Sequence, residues 1–220
     1  MEFTPVAVLA ILAGGMALGS SVVAYWRIVG SGFVWLGAVT VALLGATTGI
    51  AGGGAVAIGA SVAAAAAVFF GKDQLKASAL FGVATVGFLI VATSNGTAVA
   101  AVTGSLFLGG IVSEMLLGHW YLVDPQLPRW ALQRLALIGG AGLVADTLFV
   151  AIAAGDFMAD PFLGYAFIAL TAMTVLLVLG VWFSLKEPNY TGVMAATGLS
   201  YLAVLTALGS SVVGRIIVTG

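Results

Sequence analysis

Long apolar blocks separated by short polar turns make up almost the whole chain. Each block is close to the length that carries a helix across a hydrocarbon core of about 30 Å. The pattern therefore predicts an all-α, polytopic membrane helix bundle of about eight transmembrane helices with short loops, forming a single transmembrane domain over residues 1–220. The predicted spans are residues 5–24, 33–50, 55–70, 77–93, 97–123, 131–154, 162–185 and 190–214.

Glycine and alanine dominate the second and third predicted spans. Gly45, Gly49 and Gly53 repeat at every fourth position, the small-residue spacing that lets a neighbouring helix approach closely. The third span contains the five alanines 63–67, and we expect it to be buried among other helices. A re-entrant segment at Gly49–Gly54 is the alternative to a tight turn between two spans, and it would change the number of crossings.

Composition places the chain in a membrane and excludes several cofactors. Hydrophobic residues make up 62% of the chain and charged residues 7%, whereas soluble domains carry about 25% charged residues. A formal net charge of −1 gives no reason to expect a nucleic-acid partner. The sequence has no cysteine and one histidine. Disulfides, thiolate-ligated iron–sulfur clusters, c-type haem and a bis-histidine haem within this chain are therefore excluded.

The positive charges of the loops predict an orientation in the bilayer. The loops after spans one, three, five and seven carry six of the seven cations, whereas the termini and the other loops carry only Arg215. Cytoplasmic loops are enriched in lysine and arginine. We therefore expect a multi-pass protein of the cell inner (plasma) membrane with both termini outside. The six cations are Arg27, Lys72, Lys76, Arg129, Arg134 and Lys186.

The fifth span ends in a cluster of polar and aromatic side chains. Glu114 is expected about 13 Å from the end of this span, and His119 is expected at the boundary, about 140° away around the helix. A charged, unpaired carboxylate at that depth costs roughly 2.5–3.5 kcal/mol. Glu114 must therefore be protonated, paired or hydrated.

Two interpretations of this cluster remain open. As a functional site it would relay protons or face a quinone, because a quinone carbonyl needs a hydrogen-bond donor and its reduction needs a proton route. Alternatively, His119, Trp120 and Tyr121 belong to the aromatic belt that marks a membrane surface.

Asp146 is a second carboxylate, expected in the opposite half of the membrane from Glu114. It would receive a proton or cation, pair with a cation of a partner chain, or bond to a serine or threonine of an adjacent helix. The difference in depth argues against a two-carboxylate metal site, and we assign no metal ligand and no catalytic residue.

Two short stretches stand out from the generic apolar pattern: Leu117–Val123 (LGHWYLV) followed by Pro125, and Ala196–Ala203 (ATGLSYLA). They resemble a pattern in uncharacterised bacterial polytopic membrane proteins. The resemblance implies no residue roles, but it links the end of span five with span eight. Residues 197–201 would then lie about 10–17 Å into the membrane. That is the depth of Glu114, so Thr197, Ser200 and Tyr201 are expected hydrogen-bond partners for it.

These observations favour a subunit of a larger membrane energy-converting or electron-transfer complex. Its role would be structural or quinone-facing, with other membrane subunits as partners, no redox centre of its own and no catalytic activity alone. A small proton- or cation-coupled transporter or channel using Glu114 and Asp146 is the first alternative. The second is a subunit that carries a haem or pigment with His119 as a single axial ligand.

Overall fold

The structure, a computed structural model, describes residues 4–220, and within them it contains helices and turns but no β-strand. Seven helical stretches of the described chain are long and apolar enough to cross a membrane, when Ser31–Phe70 is counted as one. The predicted membrane helix bundle is thus confirmed. The helices are α1 Pro5–Trp26, α2 Ser31–Thr48, α3 Gly54–Ala66, α4 Gln74–Ser94, α5 Ala98–Trp120, α6 Arg129–Ala153, α7 Pro161–Ser184 and α8 Tyr190–Thr219.

The difference between seven and eight lies in one glycine-rich bend. By length, Ser31–Phe70 counts as one 40-residue helix, but its backbone breaks at Gly52, with φ of 118°, and at Gly54, with φ of 63°. Residues that carry a side chain rarely adopt such positive φ angles, so glycine at these two positions permits the bend. Gly45 faces Ser61 and Gly49 faces Ile58. These pairs show that α2 and α3 are antiparallel arms, which gives eight helical segments in the described chain.

Helices α1 to α4 and the start of α5 form a compact N-terminal unit, Thr4–Ser105. Ser21 and Ser78 join α1 to α4, each hydroxyl donating to the other residue's carbonyl at 2.8 and 2.9 Å. The Gln74 amide donates to the Val29 carbonyl, which brings the loop after α1 to the beginning of α4. These two loops, predicted to lie on the same side of the membrane, therefore meet at one end of this unit.

The acidic residue before α4 is paired on the surface. The Asp73 carboxylate accepts a hydrogen bond from the Lys76 backbone N–H at 3.4 Å. It also forms an ion pair with the Lys76 ammonium group at 2.8 Å. The hydrogen bond from the Lys76 side chain holds the pKa of the Asp73 carboxyl below its usual value.

The expectation that the third span is buried is wrong. In α3 the side chains at Ala57, Ala60 and Ala64 are buried, but Ile58 is 55% exposed and Val62 is 62% exposed. One face of α3 packs against α2 and α4, while no described helix of the same unit, residues 4–105, covers the other. Small side chains therefore do not by themselves indicate a buried helix.

The remainder of the chain, Leu106–Gly220, forms a second compact unit. In it α5 and α6 approach so closely that a side chain at Gly110 would meet the Gly139 backbone, and one at Gly142 would meet Phe107. Helices α7 and α8 pack along each other. This unit carries both buried carboxyl groups that the sequence singles out.

One arginine ties two turns of the second unit together. The Arg129 guanidinium, at the start of α6, donates to the carbonyl of Glu187 and, at 2.7 Å, to that of Pro188. The loop between α5 and α6 and the turn between α7 and α8 thus lie at the same end of the unit. Their shared position agrees with the predicted alternation of helix directions.

Candidate functional site: two buried carboxyl groups and a histidine–tyrosine pair

Glu114 lies on α5 with 3% of its surface exposed. The Ser200 hydroxyl of α8 donates to Glu114 Oε2. Glu114 Oε1 is buried and has no hydrogen-bond partner among residues 4–220, and no ion pair in that range involves Glu114. Because an unpaired charge is costly at such a buried position, the carboxyl group is stable there in its neutral, protonated form.

The hydrogen bonds of Ser200 fit both protonation states of Glu114. Ser200 Oγ also reaches the Ala196 carbonyl, at 2.8 Å, but a hydroxyl group has only one hydrogen to donate. It can donate to a charged carboxylate, or it can turn to Ala196 and accept the proton of a neutral carboxyl. A rotation of one hydroxyl hydrogen therefore accommodates gain and loss of a proton at Glu114.

A small cavity adjoins this carboxyl group. Its volume, counted as the space open to the centre of a water molecule, is about 10 Å³, and its lining includes Glu114, Ser200, Val178 and Ala203. This is near the smallest space that holds one water. A water there would give Glu114 Oε1 the hydrogen-bond partner that it lacks.

His119 and Tyr201 form a pair on the outside of the same two helices. The Tyr201 hydroxyl and His119 Nδ1 are 2.9 Å apart, and the two rings meet edge to face. His119 is exposed, and Tyr201 is 45% exposed. Tyr201 was expected to bond to Glu114, but residues adjacent on a helix point about 100° apart. Ser200 therefore faces Glu114, while Tyr201 faces His119.

The other residues of the predicted cluster have separate surroundings. Tyr121 is only 6% exposed and lies with its ring 6.1 Å from that of Tyr190, so it is not an exposed belt residue. Trp120 is half-buried. The Thr197 hydroxyl donates to the Val193 carbonyl at 2.9 Å instead of to Glu114. The site thus consists of Glu114 with Ser200, beside His119 with Tyr201.

The partner of Asp146 is an arginine of the same chain, which the sequence analysis did not predict. Arg215 of α8 donates to both of its carboxylate oxygens, at 2.7 and 3.0 Å, and lies 5.6 Å from the ring of Phe149. Asp146 and Arg215 are 3% and 6% exposed. This is a buried, two-pronged ion pair within one chain, and it neutralises Asp146 without a partner subunit.

Sequence reasoning missed Arg215 because it ended span eight at residue 214, whereas α8 continues to Thr219. A signal was available, since Arg215 is the single cation on the predicted outer side and Asp146 is the carboxylate expected in that half. Matching unlike charges by depth would have paired them.

Comparisons with protein-family models, with curated proteins and with solved structures found no match. Within residues 4–220, no group of three or more histidine, cysteine, aspartate or glutamate side chains is placed to hold a metal ion. What the arrangement offers is a protonatable carboxyl group inside the helix bundle and a hydrogen-bonding pair at its surface.

Proposed function

We propose that the chain is an integral membrane subunit of a larger electron-transfer complex, in which His119 and Tyr201 face a quinone and Glu114 carries a proton. The observation that supports this proposal is the placement of Ser200 and Tyr201. These successive residues of α8 bond to a buried carboxyl and to an exposed histidine, respectively. Two successive residues of α8 thus bring the buried Glu114 carboxyl group close to the exposed hydrogen-bonding pair of His119 and Tyr201.

The chemistry of a quinone matches these two groups. Reduction to the quinol takes two electrons and two protons, one on each carbonyl oxygen. The electrons would come from a redox centre in a partner subunit. The Tyr201 hydroxyl or the His119 ring would donate a hydrogen bond to one carbonyl. Glu114 would supply the proton for one oxygen and be reloaded from water, and water at the membrane surface would supply the second proton to the other oxygen. This chain itself would hold no redox centre.

The proposal also gives the chain a place in the cell. Lipid surrounds the apolar helices, and the complex lies in the plasma membrane. Both termini lie outside, because the cation-rich loops lie in the cytoplasm. His119 is then at the cytoplasmic surface, where protons for quinone reduction are available. Reaction of single-cysteine variants at Lys72 and Asp156 with an impermeant thiol reagent in intact cells would check this orientation.

Quinone binding by the purified chain tests the proposed site directly. A short-chain quinone should quench tryptophan fluorescence, since Trp120 follows His119 in the sequence. We expect His119→Ala and Tyr201→Phe to weaken binding about tenfold, the effect of about 1.4 kcal/mol. Tyr165→Phe is the matched control, because Tyr165 is 67% exposed on α7. Equal affinities for His119→Ala and the unaltered chain would refute the quinone site.

The complete complex provides a second readout. Alanine at Glu114 or at His119 should impair quinone-linked turnover while the complex still assembles, as judged by the subunits that co-purify in mild detergent. Normal turnover of both variants would exclude the proposed role.

A further inference from the structure

A polar cleft lies at the end of the N-terminal unit where the loop after α1 meets the beginning of α4. Its volume is about 350 Å³, within the range of about 300–1,000 Å³ that is typical of small-molecule sites. Two cations, one acid, one amide and one apolar side chain line it: Arg27, Lys72, Asp73, Gln74 and Leu75. None of these residues belongs to the proposed quinone site.

The chain does not neutralise the positive charges of this cleft. Asp73 is the one acidic residue of the lining, and its carboxylate forms an ion pair with Lys76. Arg27 and Lys72 are exposed, and neither forms an ion pair with a residue between 4 and 220. Three cations against one carboxylate leave an excess of positive charge at the cleft.

The backbone holds the two free cations at the same place. The Gln74 amide donates to the Val29 carbonyl, which fastens the loop that begins at Arg27 to the turn that contains Lys72. Arg27 itself ends α1 with φ of 55°, a left-handed conformation that is uncommon for a residue with a side chain and that glycine adopts readily. An arginine in such a conformation points to a use for its guanidinium group.

Apolar side chains beside the cleft place it at the level of the lipid headgroups. Phe69 and Leu75 are exposed, and each lies three residues from Lys72. Tyr25, two residues before Arg27, is also exposed. In a multi-pass membrane protein, exposed aromatic side chains next to cations mark the boundary between hydrocarbon and headgroups. A lipid can therefore contact the apolar side chains with its acyl chains and the cations with its phosphate.

We propose that this cleft binds the phosphate of an anionic phospholipid. The Arg27 guanidinium presents a planar fork of N–H donors and Lys72 presents an ammonium group, and both are groups that bind phosphate oxygens. Free phosphate carries the same oxygens, but only a lipid also covers the apolar surface at Leu75. The proposal does not depend on the quinone site.

Native mass spectrometry of the purified full chain tests this site. The chain is held in mild detergent with added phosphatidylglycerol, and the affinity for the first bound lipid molecule is measured. It should exceed the affinity for phosphatidylcholine, which has no net charge. Arg27→Gly and Lys72→Gln should each weaken the binding of phosphatidylglycerol about fivefold, the effect of one cation beside an anionic lipid. Inorganic phosphate at the concentration of the lipid should not displace it.

Three comparisons separate this cleft from general damage and from the general attraction of cations to anionic lipid. Lys186→Gln removes an exposed cation of the C-terminal unit and should leave the affinity unchanged. Asp73→Asn should strengthen binding, because it removes the negative charge of the lining and keeps an oxygen that can cap α4. Arg27→Gly should keep the unfolding temperature of the unaltered chain, since glycine suits the backbone there.

The results that would overturn the lipid site are equally specific. Equal affinity of Arg27→Gly, Lys72→Gln and the unaltered chain for phosphatidylglycerol would show that the cleft does not bind the lipid. Equal weakening by Lys186→Gln would show that binding follows total charge. Displacement of the lipid by an equal concentration of phosphate would mark a site for free anions.

Discussion

The two buried carboxyl groups of the C-terminal unit differ in their partners and not in their burial. Glu114 and Asp146 are each 3% exposed. Asp146 receives two hydrogen bonds from an arginine, whereas Glu114 receives one from a serine and retains an unpartnered oxygen. Asp146 thus has a cationic partner for both of its oxygens, whereas Glu114 has a neutral partner for only one.

Both partners come from α8, fifteen residues apart. At 1.5 Å per residue this separates the two sites by about 22 Å, most of a hydrocarbon core. One helix thus supplies the arginine of a buried ion pair near its C-terminal end and the serine bonded to a buried carboxyl group nearer its beginning. The comparison teaches that burial alone does not reveal the role of a membrane carboxylate, because its partners differ.

The largest expected effect comes from removing the arginine. Arg215→Met removes both hydrogen bonds and the positive charge that Arg215 supplies to the buried Asp146, which should lower the free energy of unfolding by about 3–5 kcal/mol. Thermal unfolding in mild detergent, followed by circular dichroism, measures it. The double variant Asp146→Leu with Arg215→Met should recover most of the loss, because two apolar side chains often replace a buried pair without penalty. A fully stable single variant would contradict the structural role of the pair.

The next effect concerns the contact between the helices that carry the two carboxyl groups. Gly142 lies one turn before Asp146 on α6, and a side chain there would collide with the α5 backbone at Phe107. Gly142→Val should therefore destabilise the chain by about 1–3 kcal/mol through overpacking. Gly198→Ala is the control, since nothing lies within 4 Å of that position, and it should cause no loss of stability in the same unfolding assay. Equal stability of both variants would contradict the close approach of α5 and α6 at Gly142.

The smallest expected change in stability is at Glu114. Glutamine keeps an oxygen that accepts from Ser200 and never carries a charge, so Glu114→Gln should alter the free energy of unfolding by no more than about 1 kcal/mol. Proton-linked activity should nevertheless be lost. A large loss of stability would indicate that the carboxyl group is charged and paired, as Asp146 is.

The sequence predicts much of this fold because a helix that crosses a membrane must be long and apolar. The partnership of Ser200 with Glu114 follows from matching depths on two spans. By contrast, the partner of Asp146 was missed because Arg215 suggests the end of a hydrophobic span, although a paired charge can remain inside a helix. The exposure of α3 was also missed, since alanine content does not reveal which faces have a neighbour.

The most direct test of the central comparison is the reaction with a membrane-soluble carbodiimide. This reagent adds to protonated carboxyl groups, and peptide mass spectrometry locates the adduct. We expect modification of Glu114 and none of Asp146 in the unaltered chain, with no modification of α5 in Glu114→Gln. Modification of Asp146 in preference to Glu114, or no reaction at Glu114, would contradict the assignment of one carboxyl group to proton exchange and the other to a fixed ion pair.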